Sequence, residues 1–335
     1  MESMRYSGID VDKAGLHVAL RKPSGKEAEA TFSNDEAGIA SLLAWYEAAG
    51  VALPLLRVTL EATSTYHRQV AQSLARAGAR VDVMNPQRVR SLAIGLEILD
   101  KDDRLDAKVL ATASELVARK QIELRNPLHE ELRDLSRLID SLKSDNARNK
   151  KRLASLPKGG SAHTRLKAAI QALALEIRTA IREWDRLSKE ETEIRRRYDL
   201  ARSVKDVGTE TARVVACELP ADLDAFRTDQ LCAYAGVVPR RRRSGNQALP
   251  DSIGEGGNAH LRTGLFMASG RTVFLTHWNK DLYDRLRAKG KTHLQAMIAV
   301  IHRMLRNIVA ALKRNQPWNE TPPQKKKAAI SGAAP

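Results

Sequence analysis

The hydrophobic pattern of the first hundred residues changes period more than once. "RYSGIDV" (Arg5–Val11) reads as a short strand, "LHVALRK", with the alternation in "HVAL", as another and, after the turn "PSGK", "EAEATF" as a third. Alternation flanking a glycine-bearing turn predicts strands, the second and third joined as a hairpin at Gly25. The period then lengthens. Ile39, Leu42, Leu43 and Tyr46 recur at helical spacing and predict a helix from Asp35 to about Ala49 with Asn34 as its cap. "LLRVTLEAT" is apolar enough for a buried strand, Tyr66–Ala77 is again helical, and "ARVDVMNP" is a strand closed by Pro86. The expected order is three strands, helix, strand, helix, strand, helix, which is an α/β domain.

Beyond it the pattern is helical. Leu128, Leu132, Leu135, Ile139 and Leu142 step by threes and fours, and after "LPKGGSAH" so do Leu166, Ile170, Leu173, Ile177, Ile181 and Trp184. Two such stripes make the seam of a helical hairpin or short coiled coil, read here as a spacer or dimer arm. From Ala201 onward "VKDVGTETARVVACEL" reads as helix–turn–helix about Gly208, "AFRTDQLCAYAGV" as a short helix, and a long helix starts near Asn258. The predicted class is therefore α/β plus mainly α. Residues 1–122 form the α/β domain, 123–200 the hairpin and 201–318 a mostly helical domain; 319–335 are a tail too poor in large apolar residues to fold.

Charge sharpens this outline. The 335 residues carry 56 Lys and Arg against 40 Asp and Glu, a net charge of +16, which points to a polyanionic partner. Cys217 and Cys232 are the only cysteines, too few for a disulfide framework or zinc ribbon, which fits a reducing cytosol. The first residues lack an apolar leader and the apolar runs are too short to span a bilayer, so a cytoplasmic protein with no membrane role is expected.

Against that basic background, four acids stand at telling places. Asp10 ends the first strand, Glu61 ends the strand "RVTLE", and Asp103 and Asp106 lie three apart at the start of a helix, on one face. Carboxylates at adjacent strand ends, met by more from a helix, suit a hard divalent cation such as Mg²⁺, and a pair of such ions suits phosphoryl transfer. Spacing alone accepts Asp12 beside Asp10 and Asp102 beside Asp103. In the C-terminal region "PRRRRSGNQ" places Arg240, Arg241, Arg242 and Arg243 directly before Ser244, either a phosphate grip or a grip around a nucleophile. No histidine adjoins Ser244, and His260 is the nearest in sequence. Gly208 and Thr209 at one helix start, and Asn258 and Arg262 at another, are candidate phosphate contacts through backbone N–H groups and side chains.

Taken in order, "YSGIDVDK", "EATSTY", "VMNP", "KDDRLDAKVLA", "VGTETARVVACEL", "YAGVVPRRRRSG" and "GNAHLRTGLFMAS" resemble the insertion-sequence one-ten family of bacterial transposases, which is related to the Piv DNA invertase. The resemblance runs over about residues 5–318. It implies an N-terminal RuvC-like domain of RNase H fold, with Asp10, Glu61, Asp103 and Asp106 as a Mg²⁺-binding Asp-Glu-Asp-Asp set. Asp12 and Asp102 fall where the family has uncharged residues, and Ser64 replaces the glycine of "EATGTY". It also implies Ser244 as a nucleophile that forms a covalent serine–DNA link, with donor and target DNA as substrates and a structured noncoding bridge RNA as guide. Strand exchange implies a homo-oligomer, a dimer or tetramer. The competing expectations are a metal-only nuclease or junction resolvase, and a binding protein without catalysis.

Overall fold

The computed structural model describes residues 3–21, 27–62, 65–98, 102–116, 126–240, 243–244, 247–248, 252–253, 256–275 and 277–319. The expected Pro23–Lys26 turn, Ser64, Arg241, Arg242 and the tail from 320 onward lie outside them, as do the side chains of Asp103, Arg240, Arg243 and Ser244. The chain divides into two compact units, 1–124 and 125–335.

The first unit is built on a five-stranded sheet in the order β3-β2-β1-β4-β5. Its strands are β1 (Arg5–Val11), β2 (Gly15–Arg21), β3 (Glu27–Ser33), β4 (Leu56–Glu61) and β5 (Arg80–Met84). β1, β2 and β3 pair antiparallel, while β4 and β5 join β1 in parallel. The alternation read from the sequence becomes two faces. Ile9, Val18, Leu60 and Val58 share one face, buried against α1 (Glu36–Ala48) and α2 (His67–Arg76). The helix over residues 36–48 is as predicted, but its cap is not: Asp35 accepts from Gly38 N at 2.7 Å. Asn34 instead donates to the carbonyls of Asp12 at 2.9 Å and Tyr66 at 3.2 Å, tying two loops together. The neighbouring position therefore takes the cap.

The other face carries α3 (Pro86–Gly95) and α4 (Asp103–Leu116). Across its middle, register aligns Ala19, Gly8, Thr59 and Asp82, all buried. Here α4 lies directly on the sheet. A Cβ on Gly8 would run into the carbonyl of Ala107 and the N–H of Ala111, both helix backbone. With Ala19, Ala107 and Ala111 forming a small-residue contact, the absence of a side chain at Gly8 is what lets helix and sheet approach this closely. Gly8→Ala is expected to destabilise this unit by about 3 kcal/mol, because rigid backbone must move to admit the methyl. Urea denaturation showing wild-type stability would contradict that packing.

The second unit is helical. α5 (Pro127–Ala154) and α6 (Ser161–Glu190) form the expected hairpin, followed by α7 (Thr192–Ser203), α8 (Thr209–Glu218) and α9 (Thr228–Tyr234). After four two-residue strands, β6 (Pro239–Arg240), β7 (Arg243–Ser244), β8 (Gln247–Ala248) and β9 (Ser252–Ile253), come α10 (Ala259–Leu275), α11 (His277–Ala288) and α12 (His293–Arg314). Only the root of the hairpin is buried: Leu132 and Ile139 of α5, and Ala180, Trp184 and Leu187 of α6, share one core with α7, α8, α9, α10 and α12. Trp184 Nε1 donates to Leu132 O at 3.1 Å and locks the two root helices. Further out, Leu142, Leu166, Ile170 and Leu173 are only half-buried, so the seam is partly open. Among the described residues no helix is long and apolar enough to cross a membrane.

Candidate active site

The carboxyl ends of β1 and β4 bring the first two predicted acids side by side. The last paired positions are Ile9 and Leu60, and Asp10 and Glu61 are the next residues on each strand. Both are half-buried. Asp10 shares the face of Gly8, two residues back, which is the face covered by α4. Ala107 caps Gly8, so the residue before it, Asp106, arrives at the same end of the sheet, also half-buried. Asp103 begins α4 one turn earlier.

The two alternative acids have other surroundings. Asp12 is exposed, and its Oδ1 accepts from Ala14 N and, at 2.7 Å, from Gly15 N, closing the tight turn from β1 to β2. Asp102 is exposed and precedes α4, where its carbonyl accepts Asp106 N at 2.9 Å.

A histidine that the sequence reading passed over stands in the same row. His17 pairs with Asp10 across β1 and β2, and Thr31 pairs with His17 across β2 and β3. His17, Glu29, Thr31 and Ala107 line a cleft of about 260 Å³ beside the acidic row. A signal was present: with the turn at 12–14, counting back from Val11 and Leu16 sets Asp10 opposite His17. The sequence reading placed its hairpin between the second and third strands and missed this one.

Does this end of the sheet fit a divalent metal? The donors are all carboxylate oxygens, the chemistry a hard cation prefers. They stand at two adjacent strand ends and on the helix above. Among the described residues no three carboxylate, imidazole or thiolate side chains are gathered closely enough to form a metal-binding group, and Asp103 lies outside that comparison. The donor chemistry fits a hard divalent cation, and the Asp103 side chain that would complete the set is not among the described residues.

In the second unit the serine segment grows from a narrow neck. Gly236 (φ 70°) and Gly257 (φ 90°) lie back to back, so a Cβ on either would collide with the other segment. His302 Nε2 donates to Val237 O at 2.7 Å, Arg262 donates to Gly256 O at 2.8 Å, and Asn258 N donates to Tyr234 O at 2.7 Å. The described residues on either side of the serine segment, Val237 and Gly256, are thus held at one place. Within them Ser244 pairs with Gln247 at the end of a minimal hairpin. His260 is exposed in the first turn of α10.

Asn258 and Arg262, predicted as phosphate contacts, hold the neck. Asn258 also caps α10 by accepting from Leu261 N at 3.0 Å and donates to Glu218 Oε2 at 2.7 Å. Glu218 is almost fully buried and is bound by Arg137 at 2.6 Å and Arg133 at 3.3 Å, both from the hairpin root. Burial alone would raise its pKa, but the Arg137 hydrogen bond, the two guanidinium charges and the Asn258 amide reverse this and bring it down to about 2. Gly208 and Thr209 are exposed at the start of α8, with Gly208 at its N-cap.

With this geometry in view, comparison with known proteins is decisive. Residues 7–158 match a family model described as a transposase with a DEDD domain of the IS110 type, and residues 198–287 match "Transposase IS116/IS110/IS902 family". The chain belongs to the IS110/IS116/IS902 family of transposases. It is 26% identical to a "Pilin gene-inverting protein" of Moraxella bovis over 95% of this chain and 98% of that one. The corresponding protein of Moraxella lacunata is 25% identical over the same shares. An IS110 insertion-element protein of Streptomyces coelicolor is 30% identical over 33% of this chain and 27% of its own length. The family assigns the chain to catalytic DNA phosphoryl transfer in recombination, its DEDD domain implies a divalent metal, and its substrate is DNA.

Proposed function

We propose that this transposase breaks and rejoins DNA by transesterification through Ser244, assisted by Mg²⁺ held by Asp10, Glu61, Asp103 and Asp106. The observation that carries the metal half is the placement of Asp10 and Glu61 at adjacent strand ends beneath α4, within the matched DEDD segment. The serine half is supported by Ser244 standing at the end of a minimal hairpin on a clamped neck, within the second matched segment. The bound metal would stabilise charge on the phosphate and on the attacking and leaving oxygens.

In the attack, the Ser244 Oγ–P bond forms as the bond from phosphorus to a deoxyribose oxygen breaks. The serine proton leaves Oγ, and one proton ends on the released strand hydroxyl. A hydroxyl of the partner strand then reverses the exchange. Phosphodiester bonds are conserved in number, so rejoining needs no external energy source. Arg240, Arg241, Arg242 and Arg243 hold the nonbridging phosphate oxygens, and backbone contacts of this kind position DNA without reading its sequence. Gly208 and Thr209 present N–H groups to a neighbouring phosphate, and Asn258 and Arg262 keep the neck in place for it. A structured noncoding bridge RNA supplies sequence choice by base pairing, consistent with a protein at +16 that grips backbones. Exchange of several strands is carried out by a dimer or tetramer.

Ser244→Ala is expected to abolish the SDS-stable protein–DNA adduct formed in Mg²⁺ while leaving DNA binding in place. An adduct that persists in that variant removes Ser244 from the reaction; strand cleavage without any adduct in the wild type indicates a metal-only nuclease. The end-to-end likeness to the pilin gene-inverting proteins supports a second reading, inversion of a flanked segment by the same chemistry. Sequencing of product junctions separates the two.

A further inference from the structure

The outer part of the α5–α6 hairpin is used by nothing described so far. Residues 146–175 contain seven Lys and Arg and no Asp or Glu. They lie beyond the last buried positions of the root, Ile139 on α5 and Ile177 on α6. From Ile139 to the end of α5 the hairpin projects about 23 Å at 1.5 Å per residue. Nearer the root Lys143 pairs with Glu210, and Arg148 pairs with Asp145 at 3.4 Å. The remaining six cations, Lys150, Lys151, Arg152, Lys158, Arg165 and Lys167, are all exposed, and none has an ion-pair partner among the described residues.

We infer that this tip is a docking surface for the phosphate backbone of duplex DNA. The inference rests on the family's DNA substrate, but not on the assignment of Ser244 or of the acids. Two helix ends joined by "SLPKGGS" present the charges from both sides of one turn, so a single rigid element offers six cations to one polyanion. A surface evolved only for solubility would mix signs; here one sign fills thirty residues. A second protein as occupant is disfavoured by composition, since the exposed large apolar side chains of the hairpin, Leu138 and Leu175, sit beside the last buried positions Ile139 and Ile177 and away from the turn that carries the cations. Duplex DNA carries one charge per about 1.7 Å of axis, so a projection of this length meets many phosphates without reading a base. The root fixes its direction: Arg213, buried in α8, holds Asp140 of α5 at 2.6 Å.

The test is the salt dependence of DNA affinity for the full chain, with Lys150, Lys151 and Arg152 changed together to Gln in one variant and Lys158, Arg165 and Lys167 in another. Glutamine keeps helix propensity and removes only charge. Each phosphate contact contributes about 0.9 to the slope of log K against log salt, so each triple variant is expected to flatten that slope by about 2–3 for a mixed-sequence duplex. At about 0.15 M salt the affinity should fall roughly tenfold or more. Circular dichroism and mass by light scattering should match wild type. Unchanged slopes in both variants overturn the proposal, and so does a loss confined to a structured RNA probe or to oligomeric mass. The slope reads DNA binding and the covalent adduct reads catalysis, so failure of the catalytic reading and failure of this one give different results.

Discussion

Asp10→Asn and Glu61→Gln are each expected to reduce Mg²⁺-dependent strand cleavage on the order of 10³-fold, with DNA affinity retained. The size follows from the role: charge stabilisation by a metal contributes several kcal/mol to the barrier, and each 1.4 kcal/mol is tenfold in rate. The substitutions keep side-chain shape, so the strand ends need not move. Both residues follow directly on a paired position, Ile9 with Leu60, and backbone pairing does not depend on either carboxylate. A gel-based cleavage assay with a duplex substrate reads the first outcome and anisotropy reads the second. Wild-type cleavage by either variant would remove that residue from the metal set. The same assay in Asp12→Asn should show little change, because Asp12 serves the β1–β2 turn through the N–H groups of Ala14 and Gly15, and an asparagine oxygen accepts equally well.

The second large effect is structural and sits under the serine segment. Glu218→Ala is expected to cost about 3–5 kcal/mol in the stability of the second unit, the usual loss when one partner of a buried ion pair is removed. Arg133 and Arg137 would then lose their carboxylate, and Asn258 the acceptor that holds the neck. Amide hydrogen exchange should show lost protection across α8 and the start of α10. The pH dependence follows from the direction of the shift. Glu218 has a folded pKa of about 2 against an ordinary 4.5, so it is a depressed acid. Its contribution, about 3 kcal/mol, is fully present above pH 4.5 and is lost as pH falls from 4.5 through 2. The raised pKa of Arg137 points the same way, since its pairing with Glu218 outweighs the cost of burying it. In urea titrations the gap between wild type and variant should therefore narrow by about 2 kcal/mol between pH 7 and pH 3. A variant gap that stays constant between those pH values would show that the pair is not the source.

Much of this was legible in one dimension. The period of the apolar positions sets strand or helix locally, and the expected strands and helices of the first unit appear in order, with a short 3-10 turn at Leu53–Leu55 and two helices rather than one after the last strand. Strand ends and a helix start also located Asp10, Glu61 and Asp106, because a carboxylate's place in an element is a local property. The cap of α1 shows where local reading stops. Asn34 and Asp35 are both good cap residues, and the choice was made by two distant carbonyls, of Asp12 and Tyr66, that only an amide N–H can satisfy. Helical spacing likewise described the α5–α6 seam, yet burial of that seam ends at Ile139 and Ile177, where the neighbouring helices end their cover.

The sequence by itself determined the element order, the family and the positions of the acids and the serine along the chain. Tertiary structure alone decided which residues share a row or a neck. Parallel pairing of β1 with β4 joins residues about fifty positions apart, and it is this pairing that sets Asp10 beside Glu61. The bare backbone of Gly8 admits α4, and so brings Asp106 to that edge. Gly236 meets Gly257 from across the serine segment, and Glu218 meets Arg137 across 81 positions. Such contacts depend on how whole elements pack, on the space a missing side chain leaves and on which buried charge needs a partner, and none of these is a property of a short stretch of chain.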